Sequence, residues 1–159
     1  MHLGAEADDA LRAALHDRAL AWAREAGGAD ALDLATAAEL APALADHDGP
    51  VLLVAPDVPG LAELHRRAAL DDLRAGVLIS SGASDDGTPF LIALARADAR
   101  LLALVDAPFE TVVATAVELD GTLGMLRTER RLTSVADARA VLADPLAPPE
   151  LRELLASLR

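Results

Sequence analysis

Apolar residues recur near the start of the chain at close to helical spacing: Leu11, Leu15, Ala19, Trp22 and Ala26. That stripe predicts an amphipathic helix capped by Asp8 or Asp9 and stopped by Gly27-Gly28. Ala29 to Ala35 reads as a short strand, and Ala37 to Ala45 as a short helix despite Pro42. The pattern then changes. Val51-Leu52-Leu53-Val54-Ala55 is a continuous apolar run, introduced by Gly49-Pro50 and broken by Pro56-Asp57-Val58-Pro59-Gly60. A strand without polar alternation is expected to be covered on both faces. A helix from Leu61 to Arg74 follows, with Leu61, Leu64, Ala68 and Leu73 expected inward, and Gly76 ends it.

Val77-Leu78-Ile79 reads as a second buried strand, Ser80 to Thr88 as a polar loop, and Pro89 to Ala95 as a third strand. Phe109 to Leu119 is expected to be helical and Gly124 to Thr128 to be a last strand. Ser134-Val135-Ala136-Asp137 has the form of a capping box, opening a helix that Asp144-Pro145 closes. Pro148-Pro149 then starts a terminal helix with Leu151, Leu154, Leu155 and Leu158 on one face. Apolar strands alternating with helices predict one α/β domain spanning residues 1–159, with a mostly parallel sheet flanked by helices. Ligands of such sheets sit beyond the carboxyl ends of the strands. Two loops are expected there, Pro56 to Gly60 and Ser80 to Thr88.

Composition narrows the chemistry. The 159 residues contain no Cys, Lys, Asn, Gln or Tyr, and all 14 basic residues are Arg. That excludes disulfides, thiolate nucleophiles, Schiff-base lysines and the P-loop lysine. A formal charge of -12 repels phosphate backbones and anionic lipid, so neither nucleic acid nor a membrane is an expected partner. No apolar stretch approaches the length of a membrane helix and no signal-peptide pattern opens the chain, which makes a cytoplasmic location the expectation.

Several residues are candidates for chemistry, each with a plainer alternative. Asp57 directly follows a strand between two prolines. It is either a rigidly presented carboxylate for Mg²⁺ or Mn²⁺, or a turn residue accepting a backbone hydrogen bond. Asp85-Asp86-Gly87-Thr88 is either a second acidic wall of the same crevice or a solvated turn before a strand. Ser80, Ser81 and Ser84 need a nearby base to act as nucleophiles. None of His2, His16, His47 and His65 stands in a metal-binding or nucleophile-elbow spacing. Arg66-Arg67 and Arg127, Arg130 and Arg131 are the basic clusters. Each suits a phosphate or carboxylate, or else simply lies on a solvated helix face or surface loop. No glycine-rich phosphate loop is present.

Taken in order, these motifs resemble a known family. Gly49-Pro50-Val51-Leu52-Leu53-Val54-Ala55-Pro56-Asp57-Val58-Pro59-Gly60-Leu61 is similar to the "PVLLIGTDCPGL" segment of a bacterial family of sugar-nucleotide-transferase-like proteins, which includes arsenosugar-type glycosyltransferases and is related to phospholactate guanylyltransferases. Gly82-Ala83-Ser84-Asp85-Asp86-Gly87-Thr88-Pro89-Phe90-Leu91-Ile92-Ala93-Leu94 resembles its "PAEDGGYYLIGL" segment. Phe109 to Leu119 is similar to "WSTDTVLARTL", and Ser134 to Val141 to the closing "DTPEDL" helix. The resemblance is strongest from Gly49 to Leu94.

It implies a truncated GT-A-like fold of the nucleotide-diphospho-sugar transferase type. Asp57 would take the metal position, held with Mg²⁺ or Mn²⁺. Asp86 would be catalytic, orienting or deprotonating an acceptor hydroxyl, and Asp85, Gly87, Thr88 and Gly60 would line the substrate side. The family's opening strand and basic nucleotide loop have no counterpart, Thr88 replaces the second Gly of "DGG", and Asp137 alone matches in the closing motif. The expected function is therefore transferase-like with a degenerate nucleotide site, taking a sugar nucleotide or small metabolite weakly. Two alternatives accompany it: a working metal-dependent sugar-nucleotide transferase, and a non-catalytic interaction domain whose open sheet edge pairs with a second copy.

Overall fold

The computed structural model describes residues 3–27, 31–34, 37–105, 107–132 and 134–143, with 149, 152, 153 and 156 besides. In chain order the elements are helix α1 (Leu3–Gly27), a 3₁₀ turn (Ala37–Glu39) running into α2 (Leu40–Ala43), β1 (Val51–Val54), α3 (Glu63–Arg74), β2 (Ile79–Ala83), β3 (Pro89–Leu94), α4 (Ala99–Leu102), α5 (Phe109–Glu118), β4 (Leu123–Met125) and α6 (Val135–Leu142). The helix α1 starts earlier than its caps predicted, and residues 31–34 of the predicted second strand carry no regular structure. The rest of that strand, the Asp144-Pro145 stop and most of the terminal helix from Pro148 lie outside the described residues.

The strand order is β1-β3-β2-β4. β3 pairs antiparallel with both β1 and β2, and β4 pairs parallel with β2. The sheet is therefore mixed, which corrects the expectation of a mostly parallel one. The reason lies between Ser80 and Thr88. That stretch was expected to be a loop, yet β2 runs on to Ala83 and turns directly into β3 as a hairpin. A hairpin forces antiparallel neighbours, whereas a parallel pair needs a long crossover. Ser80 and Ser81 lie fully buried within β2. Their hydroxyls are matched, Ser80 donating to Asp72 Oδ2 at 2.6 Å and Ser81 to the Leu91 carbonyl at 3.0 Å. With those bonds made, the desolvation cost of burying the two hydroxyls is offset.

β3 is the central strand, and all six of its residues are buried. Ile92 and Leu94 pack with Leu101, Leu102, Leu104, Val112 and Ala116 of the α4–α5 layer. Phe90, Leu91 and Ala93 pack with Ala19 and Trp22 of α1, Val58 and Leu61 of the loop after β1, and Ala69 of α3. The sheet is thus sandwiched between helices, as the apolar runs of β3 required. β1 is less covered than its composition predicted, with Val51 alone fully buried, because it is an edge strand.

α1 shows its stripe as read, with Leu11, Leu15, Ala19 and Trp22 inward. Leu11 and Leu15 meet Leu132 and Ala138, which seats α6 on α1. Ser134 caps α6 by accepting from the Asp137 N–H at 3.2 Å, as the capping-box pattern predicted. Leu61 and Leu73 pack inward as read, but on α3 His65 and Ala69 are buried in place of Ala68 and of Leu64, which is 53% exposed. His65 turns inward because its Nδ1 accepts from the Ala62 N–H at 3.2 Å and its ring stands edge-on to Phe90, 5.4 Å away. α4, whose cap Asp98 accepts from the Arg100 N–H at 2.9 Å, was not predicted at all.

Truncating the central strand tests this core. Leu94→Ala, at a position with no exposed surface, lowers unfolding free energy in urea by about 2–5 kcal/mol. Val117→Ala, on the exposed side of α5, changes it by less than about 0.5 kcal/mol.

Candidate functional site

The chain brings three segments together beyond the carboxyl ends of β1 and β2. One is the Pro56 to Gly60 turn after β1. The second is the hairpin turn between β2 and β3. The third, residues 126–132, runs on from β4 beside β2 and then crosses towards β1. Its path is written in backbone bonds: Leu126 N–H to Ser81 O at 2.9 Å, Glu129 N–H to Ala83 O at 3.2 Å, Asp85 N–H to Glu129 O at 3.2 Å, and Leu132 N–H to Asp57 O at 2.8 Å.

Arg131 stands where the three segments meet. Its Nε lies 2.9 Å from each oxygen of Asp57, and Nη2 lies 2.8 Å from Asp57 Oδ2. Nη1 donates to Thr88 Oγ1 at 2.8 Å and stands 3.8 Å from Asp86 Oδ2. The pair is largely enclosed, with side-chain exposures of 27% for Arg131 and 18% for Asp57. Charge-assisted bonds of this kind are about twice as strong as neutral ones. Burial works against the Arg131 charge, but the hydrogen bonds and charge of Asp57 and the charge of Asp86 outweigh it and raise its pKa.

Asp86 organises the hairpin turn. Its Oδ1 accepts from the Thr88 hydroxyl at 2.6 Å and the Thr88 N–H at 2.9 Å, and Ser84 Oγ lies 2.8 Å away. The Thr88 hydroxyl, then the Thr88 N–H, Ser84 and the Arg131 charge, outweigh partial desolvation and hold the carboxyl at about 2. Such a group is an anion at neutral pH and a weak proton acceptor. Gly87 supplies the positive φ, +83°, that closes the turn. Its N–H bonds to Ser84 O at 3.0 Å and its carbonyl receives the Phe109 N–H at 3.1 Å. Asp85 pairs with Arg130 at 3.2 Å.

Gly60 faces a different group. A Cβ there would run into the Glu129 carboxylate, so glycine is what lets this acid fold under the turn after β1. Glu129 Oε1 lies 3.2 Å from Arg127 Nε and 3.2 Å from His65 Nε2. His65 is 1% exposed, and Nε2 is off the hydrogen-bond direction, so it is a buried polar atom without a hydrogen-bond partner. Because Nδ1 accepts a backbone N–H, the remaining ring proton is assigned to Nε2, facing Glu129.

Asp57 also borders a cleft of about 390 Å³ lined by Arg12, Ala13, His16, Pro56 and Asp57. Arg12 and His16 lie one turn apart on α1, and each is already paired, with Asp9 and with Asp33 respectively. The structure thus joins Asp57, Asp86 and Thr88 through Arg131, places Asp85 beside them on Arg130, and sets Gly60 and Gly87 to backbone tasks. It adds Arg131, Glu129 and His65, which the sequence reading did not place in a site. The signal was available in the density of Arg127, Arg130 and Arg131, read there as a surface loop. A divalent cation requires several oxygen ligands. Both oxygens of Asp57 are taken by a guanidinium, and no three His, Asp or Glu side chains among the described residues are grouped to hold a metal. As arranged, this donor set does not fit the cation.

No family model and no curated protein matches the chain. Among solved structures it is similar to a protein described as a candidate nucleotide-diphospho-sugar transferase from Desulfovibrio desulfuricans G20, with 19% identity and a TM-score of 0.56 over 79% of this chain. The fold is nucleotide-diphospho-sugar transferase-like. The chain spans 59% of that neighbour's length, and at this identity the likeness concerns the fold alone. No helix among the described residues is long and apolar enough to cross a membrane.

Two substitutions test the geometry. Gly60→Ala displaces the Glu129 carboxylate, the flexible end of a side chain, and costs less than about 1 kcal/mol in chemical denaturation. Thr88→Val moves the Asp86 titration midpoint, read by NMR of its carboxyl carbon, from about 2 upward toward the ordinary 3.8. A depressed folded value stabilises above the ordinary one and is lost as pH falls through about 2, so this part of the stability gap between wild type and variant narrows over that interval.

Proposed function

We propose that this protein is transferase-like with a degenerate nucleotide site and weak or lost catalysis, taking a sugar nucleotide or small metabolite weakly at most. The observation that carries the reading is the closure of Asp57 by Arg131. A sugar-nucleotide transferase needs positive charge or metal free to face a diphosphate. Here the enclosed arginine of the crevice, Arg131, is engaged by Asp57 and faces Asp86, while Arg130 and Arg127 make exposed pairs with Asp85 and Glu129.

Calorimetry and a product assay test this reading together. With UDP-, GDP- and dTDP-sugars and Mn²⁺ at millimolar concentration, the expected result is no saturable heat and no released nucleotide. Transfer or hydrolysis that Asp57→Asn abolishes would overturn it in favour of a working transferase.

A further inference from the structure

We infer that Arg131 is the resident cation of the Asp57 site, standing in place of a divalent metal ion, so that the crevice is metal-independent. The inference deepens the proposed function and rests on its reading of Asp57 as the charged centre of a transferase-like crevice.

The contacts carry it. A carboxylate presented at the end of a strand needs a positive partner when it is largely withdrawn from water. Asp57 has one, and the partner is covalently part of the chain. Three guanidinium contacts of 2.8–2.9 Å occupy both of its oxygens. The bond from Leu132 N–H to Asp57 O, 2.8 Å long, fixes the backbone next to Arg131 against the same residue. The guanidinium is therefore positioned from both ends, by its fork and by its own main chain. Its remaining reach goes to Thr88 and Asp86, on the opposite wall. A guanidinium and a metal ion cannot share these oxygens. Mg²⁺ and Ca²⁺ hold carboxylate oxygens at about 2.0–2.6 Å and would stand against a fixed positive charge. Entry of a metal requires displacing all three contacts. Arginine also carries its charge at every accessible pH, so neither a chelator nor a change of ionic composition removes it.

The test is a titration with Mn²⁺ alone, followed by electron paramagnetic resonance of the free ion. The wild-type chain is expected to bind no Mn²⁺ at millimolar concentration. Arg131→Ala, or Arg131→Gln where the first does not fold by circular dichroism, frees both Asp57 oxygens opposite Asp86 and is expected to show measurable Mn²⁺ binding at millimolar concentration. Adding Asp57→Asn to either variant is expected to abolish the gain. The inference is overturned if wild type binds Mn²⁺ and Asp57→Asn removes that binding, or if a folded Arg131 variant binds no more tightly than wild type. Metal-free turnover of a sugar nucleotide would instead overturn the proposed function and leave this inference standing.

Discussion

The corner beyond the strand ends depends on one ion pair. Arg131 links the turn after β1 to the β2–β3 hairpin, two segments that share no strand pairing at that point, and it does so from a third segment that has already left the sheet. Its worth comes from enclosure. An exposed pair of this kind contributes about 0–1 kcal/mol, whereas a partly desolvated one with hydrogen bonds on both sides holds its geometry. Around it the remaining acids are assigned in turn. Asp86 is consumed by the hairpin, Asp85 by Arg130, and Glu129 by Arg127 beside the buried His65.

The hairpin makes this corner accessible to one arginine. Had β2 and β3 been joined by a helical crossover, Asp86 and Thr88 would have sat on a connection of a dozen or more residues rather than a tight turn. The turn works because Gly87 takes a positive φ and Asp86 folds its carboxylate back onto the Thr88 N–H. Thr88 then serves both sides, its hydroxyl donating to Asp86 and accepting from Arg131. The Thr where the resembling family carries a second glycine is thus a structural link between the turn and the arginine.

Much of the scaffold was legible in the residues, because hydrophobic period is local. The stripe of α1, the strands at Val51 and Pro89 and the Ser134 cap all follow from spacing within a few positions. What failed was non-local. Ser80 and Ser81 look like loop residues until Asp72 and the Leu91 carbonyl are there to receive their hydroxyls. The inward face of α3 is set by His65 capping its own helix start and packing on Phe90, which overrides Leu64 in a simple hydrophobicity reading. Asp57, Asp85 and Asp86 were legible as candidates, being acids at strand ends. Arg131 was legible as one of a basic cluster suited to a carboxylate, but its partner was not, since 74 positions separate it from Asp57 and charge pairing across such a distance leaves no periodic trace.

The electrostatic composition then takes on a different meaning. A chain at -12 with four acids gathered at one corner would repel itself there unless cations were supplied. The sequence supplies three, Arg127, Arg130 and Arg131, within five positions of a single extended segment. Arginine suits this task better than lysine, because its planar fork engages two oxygens at once and gives up less hydration on entering a half-buried site. Arg131 faces both Asp57 and Asp86, while Arg130 and Arg127 make exposed pairs with Asp85 and Glu129, so much of the negative charge of the corner is offset. Partial neutralisation of the crevice and closure of Asp57 are the same event, and it is carried by the same five-residue segment.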